Sequence, residues 1–164
     1  MHHLERRLVV PRPLDQVFPF FAEPRNLARI TPPWLGFRIA TGGDLTMRRG
    51  LEISYRIRPL GIPQRWTSRI SVWDPPRRFV DEQLRGPYRK WHHLHEFLEV
   101  TGGTEIRDEV TYELPFGPCG RVAHRLLVRR QLESIFHYRE RVVRELLGVP
   151  AACRPIDVRE RGTS

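Results

Sequence analysis

Lysine is almost missing from this chain: Lys90 is the only one, and the remainder of the 28 basic residues in 164 are arginine. A formal charge of +9 invites nucleic acid or anionic lipid as a partner. The arginines, however, are spread along the whole chain, as a compositional bias leaves them. Cysteine is equally scarce. Cys119 and Cys153 fit no metal or redox spacing and imply no disulfide framework, so a reducing, cytoplasmic setting is the expectation. Long apolar runs are also absent. In the opening ten residues only Leu8, Val9 and Val10 are continuous, too few for a signal peptide or a membrane span. No Gly-rich phosphate loop, nucleophile elbow or carboxylate pair at a fixed motif spacing occurs, so no motif names a reaction. With no internal repeat and 40% apolar residues, the chain reads as a single domain over 1–149 followed by a polar, flexible tail at 150–164.

What is present is alternation. In Leu51 to Arg58 one face takes Leu51, Ile53, Tyr55 and Ile57 and the other takes Glu52, Ser54, Arg56 and Arg58, the period of two that marks a half-buried strand. The same pattern runs through Gln64 to Trp73, with Trp66, Ser68, Ile70 and Val72 assigned inward, and Phe79 to Leu84 follows after Asp74, Pro75 and Pro76. Tyr88 to Leu98 places Trp91, His93, His95 and Phe97 on one face. Gly102 and Gly103 then turn the chain into Thr104 to Leu114, with Ile106, Asp108, Val110 and Tyr112 inward. Earlier strands are expected at Glu5 to Val10 and Phe37 to Thr41. Between these two lie a short helix from Pro13, carrying Val17, Phe18, Phe21 and Ala22 on one face, and a second over Pro24 to Ile30.

A long amphipathic helix is expected over Arg121 to Leu147, with an apolar stripe of Val122, Leu126, Leu132, Ile135, Phe136, Val143 and Leu146. Gly148 and Pro150 end it. Its first turns carry Arg121, Arg125, Arg129 and Arg130, a solvated face or a site for an anionic partner; the second reading requires salt-dependent retention on a polyanion. The outer faces of the strands carry both signs, which suits cross-strand ion pairs and not a nucleic-acid platform of aromatics on a uniformly basic face.

Several segments resemble one branch of the SRPBCC (START-like) superfamily, often labelled cyclase/dehydrase-like. These are Asn26 to Leu35, Trp73 to Pro76, Gly86 to Phe97 and Ile135 to Arg139, and the likeness spans Leu4 to Leu147. The resemblance implies an α+β helix-grip fold: a curved seven-stranded antiparallel sheet wrapped around a long C-terminal helix, with two short helices and a hydrophobic cavity between. It implies small hydrophobic ligands such as lipids, sterols or polyketides, and it carries over no agreed reaction.

With the inward faces so assigned, the cavity wall takes Ile53, Ile57, Trp66, Ile70, Phe97 and Val110, faced from the helix by Leu126 and by Ala123 and Arg130. A mostly apolar pocket with a few converging polar groups is the usual form of a small-ligand site. The binding set is Trp66, Asp81, Gln83, Trp91, His93, His95, Asp108 and Tyr112. His93 and His95, two apart on one strand, support three readings. They line the wall, hydrogen-bonded to carboxylates; or one is a general base oriented by Asp108; or both ligate a zinc ion, for which Asp81 or Asp108 is the third ligand. The reading adopted takes no metal and no cofactor. It is a cavity that binds a small hydrophobic or aromatic molecule, with no nucleic-acid partner and no membrane span. The alternative is a polyketide cyclase, aromatase or dehydratase in which His93, His95 and Asp108 move protons.

Overall fold

The computed structural model describes residues 1–115 and 127–148. Seven strands form one antiparallel sheet: β1 (His2–Val10), β2 (Arg38–Ile39), β3 (Glu52–Ile57), β4 (Gln64–Asp74), β5 (Arg78–Arg85), β6 (Lys90–Val100) and β7 (Gly103–Glu113). Their spatial order is β1-β7-β6-β5-β4-β3-β2, so consecutive hairpins build β3 to β7 and the first strand closes against the last. Helix α1 (Leu14–Phe21) and the long helix α2 (Arg129–Leu146) supply the apolar faces that cover the sheet. The expected helix start at Arg121 to Leu126, with Arg121 and Arg125 of the basic stretch, both cysteines and the 150–164 tail lie outside the described residues; Arg129 and Arg130 open α2, Arg129 paired with Glu133 at 3.1 Å.

Alternation produces the strands as expected, and β7 is the plainest case: Thr104, Ile106, Asp108, Val110 and Tyr112 are all buried and the intervening residues are not. Trouble comes where the ladder slips. Between Ile70 and Val72 the β4–β5 register shifts, and the extra residue turns the chain over. Val72, assigned inward from the sequence, is therefore 36% exposed, and Trp73 packs on the core instead, 5.4 Å from Phe18 and 6.0 Å from Phe79 between ring centroids. β2 is shorter than the expected Phe37 to Thr41. Beyond Ile39, both Ala40 and Thr41 donate to the Ser54 carbonyl, at 2.7 and 3.2 Å, and the Thr41 hydroxyl accepts from the Ser54 amide at 2.7 Å. A side chain thus replaces the ladder.

The expected second helix is a 3-10 turn, Pro24–Ala28, capped by the Glu23 carboxylate accepting from the Arg25 amide at 3.1 Å and fastened to α1 by Asn26 Nδ2 donating to the Phe20 carbonyl at 2.9 Å. A further 3-10 turn, Pro33–Leu35, occupies what the sequence suggested was only a stop signal, and it ends on Gly36 in the left-handed region at φ 55. Helix α2 buries Leu132, Phe136 and Val143 as its stripe requires, while Leu146, its terminal residue, is 41% exposed.

Two apolar clusters result. One gathers Val17, Phe18 and Phe21 of α1 with Ile53, Ile70, Phe79, Phe97 and Val143; the other gathers Leu4, Val110 and Tyr112 with Leu132 and Phe136. Each fully buried side chain of this size contributes about 1.5–3 kcal/mol relative to exposure. The outer face is less well matched than the sequence suggested. Arg69–Glu82, Arg107–Glu96 and Arg89–Glu113 do pair. But Arg56 stands opposite Arg38 on one side and Arg65 on the other.

Candidate functional site

A cavity of about 210 Å³ lies between the sheet, the α1 region and α2. An apolar cavity of about 150 Å³ is large enough to take benzene, so this one accommodates a substituted ring. Its wall is largely apolar: Phe20, Phe21, Leu27, Ile30, Leu35, Phe37, Ile53, Ile57, Ile70, Phe79 and Phe136 all contribute. At the side made by β4, β5 and β6, Trp66, Ser68, Asp81, Trp91, His93 and His95 join them, with Arg139 of α2 opposite.

Strand register assembles the polar part. Asp81 of β5 lies across from His93 of β6, and Asp108 of β7 lies across from His95. One oxygen of each carboxylate meets both rings. Asp81 Oδ1 is 3.1 Å from His95 Nε2 and 3.4 Å from His93 Nδ1; Asp108 Oδ1 is 3.0 Å from His93 Nε2 and 2.8 Å from His95 Nδ1. The imidazoles lie against each other with centroids 3.7 Å apart. His95 stacks on Phe79 at 4.2 Å and His93 meets Phe136 at 5.8 Å, so the pair joins the two apolar clusters. Arg139 reaches Asp108 Oδ1 at 3.6 Å from the helix side, its guanidinium over the rings of Phe21 and Phe136.

The protonation pattern follows. Burial, together with the neighbouring His95 charge, pushes His93 down to about 4, so it is neutral near pH 7. Its Nε2 then donates to Asp108 over the shorter contact. Burial also opposes a charge on His95, but its bonds to Asp108 and Asp81 outweigh that and raise its pKa. Burial would raise both carboxyls. Arg139 and then the histidines hold Asp108 well below the usual range, and His95, His93 and Arg139 lower Asp81. Taking His95 as charged, two anions (Asp81, Asp108) face two cations (His95, Arg139), and the buried set is neutral. The network continues outward: Ser68 Oγ donates to Asp81 Oδ2 at 3.4 Å and accepts from Trp66 Nε1 at 2.9 Å, with Tyr55 Oη 3.0 Å away.

Of the eight residues chosen from the sequence, Trp66, Asp81, Trp91, His93 and His95 line this cavity. Asp108 does not; it lies behind the histidines. Gln83 is turned aside, its Nε2 donating to the Tyr88 carbonyl at 2.6 Å and its Oε1 accepting from the Tyr88 amide at 3.3 Å. Tyr112 is buried in the second apolar cluster against Trp91, Tyr88 and His2. Phe97 and Val110, assigned to the wall, are packed core instead, at 1% and 0% exposure. Arg130 lines a separate surface groove beside Trp34 and Tyr138. Leu126 and Ala123 fall outside the described residues. The sequence marks Arg139 only as part of the family-like block Ile135 to Arg139, with a salt bridge to the first helix as its simplest role; the structure pairs it with Asp108 of β7 instead. The signal available was its spacing of three from Phe136, which places it on the buried stripe.

Among the described residues no helix is long and apolar enough to cross a membrane. Solved structures resemble this one at low identity. A START superfamily protein from Mycobacterium smegmatis matches with TM-score 0.65 and 11% identity over 89% of this chain and 99% of that one. A protein from Arthrobacter aurescens matches with TM-score 0.66 and 14% identity over 91% and 87%. A nucleoside-diphosphate sugar epimerase from Corynebacterium glutamicum matches with TM-score 0.62 and 25% identity; 88% of this chain aligns with 29% of that much longer one. No curated protein matches the chain. The START superfamily likeness makes the fold a helix grip. The model of the family described as polyketide cyclase / dehydrase and lipid transport matches residues 10–136, and the chain belongs to that family.

Proposed function

We propose that the protein binds a small hydrophobic or aromatic molecule in the cavity, with a polar substituent of that molecule turned toward Asp81, His93, His95 and Arg139. One observation carries this reading: a largely apolar cavity has a cluster of ionisable groups on one side, Asp81, His93 and His95 on two strands and Arg139 on the helix, with Asp108 of a third strand behind it. Buried ion pairs cost several kcal/mol per ion in desolvation, and apolar residues of similar volume would stabilise the fold at least as well. Such a cluster is supported by what it does for a ligand, since stability alone does not favour it. Trp66 and Trp91 both line the cavity and report its occupancy. Native mass spectrometry of freshly purified protein is expected to reveal a co-purifying compound. A titration with 1-naphthol, followed by tryptophan fluorescence, is expected to saturate at one equivalent. Failure of both removes the proposal.

An enzymatic reading, a cyclase, aromatase or dehydratase acting on a polyketide-like substrate, draws on a second observation. His93 is a neutral imidazole beside His95, whose bonds to the two carboxylates raise its pKa, in reach of the cavity, with Asp108 to hold its tautomer. Conversion of a bound compound that disappears in His93→Ala and His95→Ala supports it. Recovery of the compound unchanged after incubation supports the carrier.

A further inference from the structure

We infer that Asp81, His93 and His95 form a site for one divalent transition-metal ion whose open coordination position faces the cavity. Each residue offers one ligand atom, and the three atoms lie within 4.8 Å of one another. Asp81 Oδ1 is 3.4 Å from His93 Nδ1 and 3.1 Å from His95 Nε2. Bonds of about 2.0–2.1 Å in a tetrahedral site put neighbouring ligand atoms about 3.3 Å apart. Both measured edges therefore match those of a tetrahedral site. Two nitrogens and a carboxylate oxygen match zinc and its neighbours in the first row and not calcium or magnesium, which take oxygen sets.

The second observation is the role of Asp108. Metal-bound imidazoles almost always donate their other N–H to a carboxylate, carbonyl or water, which fixes tautomer and ring orientation. Here the nitrogens turned away from Asp81 both face Asp108 Oδ1: Nε2 of His93 is hydrogen-bonded to it at 3.0 Å, and Nδ1 of His95 lies 2.8 Å from it with Arg139 Nη2 at 3.4 Å. The two rings run head to tail, so the δ nitrogen of one and the ε nitrogen of the other share each edge. Ser68 Oγ holds the remaining oxygen of Asp81 at 3.4 Å. The two sides also differ in access. Asp81, His93 and His95 line the cavity and Asp108 does not, which puts the ligand atoms on the cavity side and the outer carboxylate behind them. A metal site with three protein ligands and one free position is the form that polarises a bound oxygen. With neutral imidazoles, Asp81, Asp108 and Arg139 sum to one negative charge. A dication plus one anionic oxygen then reaches neutrality. If the cavity is the ligand site proposed above, the class of ligand narrows to molecules bearing a phenolate, enolate or carboxylate oxygen.

The test begins with protein stripped by chelator and dialysed. Zinc is titrated calorimetrically, and cobalt(II) is added to follow visible d–d absorption. One equivalent of zinc, a tetrahedral-type cobalt spectrum and a higher Tm with zinc are expected. His93→Ala and Asp81→Asn are expected to weaken binding at least 100-fold, and Asp108→Asn to weaken it about 10- to 100-fold. His137→Ala, on the outer side of α2, leaves it unchanged. Circular dichroism checks that each variant folds. Should the cavity variants fail to fold, the wild-type cobalt spectrum and stoichiometry decide alone. The inference is overturned if stripped wild-type protein takes up no zinc at micromolar concentration, or if folded His93→Ala and His95→Ala bind as tightly as wild type, as they would were the ion held by His2 and His3. Repeating the 1-naphthol titration on stripped protein separates this outcome from failure of the cavity itself.

Discussion

Asp108→Asn should be among the most damaging single-atom changes available to this protein. The side chain keeps its volume, so packing is undisturbed and the effect is electrostatic. In the wild type, one oxygen of Asp108 meets His93 Nε2 at 3.0 Å, His95 Nδ1 at 2.8 Å and Arg139 at 3.6 Å. Neutralising it leaves His95 and Arg139 sharing Asp81, with one uncompensated positive charge in the interior. Breaking a buried ion pair by removing one partner costs about 3–5 kcal/mol. A chain of this length loses about 2–4 °C in Tm per kcal/mol, so a fall of about 6–20 °C is expected. Thermal unfolding followed by circular dichroism on the metal-free protein measures it, with urea midpoints as a check on ΔG. The companion variant replaces the whole set with apolar residues: Asp81→Leu, His93→Leu, His95→Leu, Asp108→Leu and Arg139→Met. This variant should recover most of the loss while binding no ligand, since wholesale replacement of buried charges is often neutral or stabilising. A drop below about 1 kcal/mol for Asp108→Asn would refute the reasoning, because it would mean that water reaches the cluster and screens it.

Three further outcomes follow from the geometry. Ile53→Phe places a ring in the cavity that Ile53 lines, and should cut affinity for 1-naphthol at least tenfold in the fluorescence titration while leaving Tm within a few degrees. Gly103→Ala should destabilise by about 1–3 kcal/mol or more in urea unfolding, since the added Cβ falls 2.0 Å from the Val10 carbonyl oxygen and backbone must move. Arg56→Glu converts two like-charge pairs, with Arg38 and Arg65, into attractive ones. A gain of about 0.2–1 kcal/mol per pair is expected at low salt, shrinking toward zero at high ionic strength.

How far the sequence could be read depended on the period involved. The strands of β3 to β7 were legible because period two survives any tertiary context so long as one face is buried, and Trp66, Ser68 and Ile70 fall inward as that rule demands. It failed at Val72, where an inserted residue turns the strand over and nothing in the local composition marks the slip. The histidine pair was legible as two imidazoles on one face. Its bracketing between Asp81 and Asp108 was not, because that depends on the registers of β5 and β7 against β6, which a single chain does not display. Gln83 was assigned to the cavity by alternation, but its amide is taken by the Tyr88 backbone across the β5–β6 turn. Arg139 was visible in the family-like block of the last helix but not as part of the site, because its partner Asp108 lies on a strand whose position the helix sequence does not display.

The placement of that arginine has a consequence for how the molecule is made. The other members of the cluster, Asp81, His93, His95 and Asp108, come from strands that leave the ribosome before α2, and with His93 neutral they alone carry a net negative charge. Arg139 arrives last, and the C-terminal helix therefore seats itself by completing an electrical balance as well as by covering grease. Any partner that pried that helix away would open the cavity and unmask its acids in the same movement.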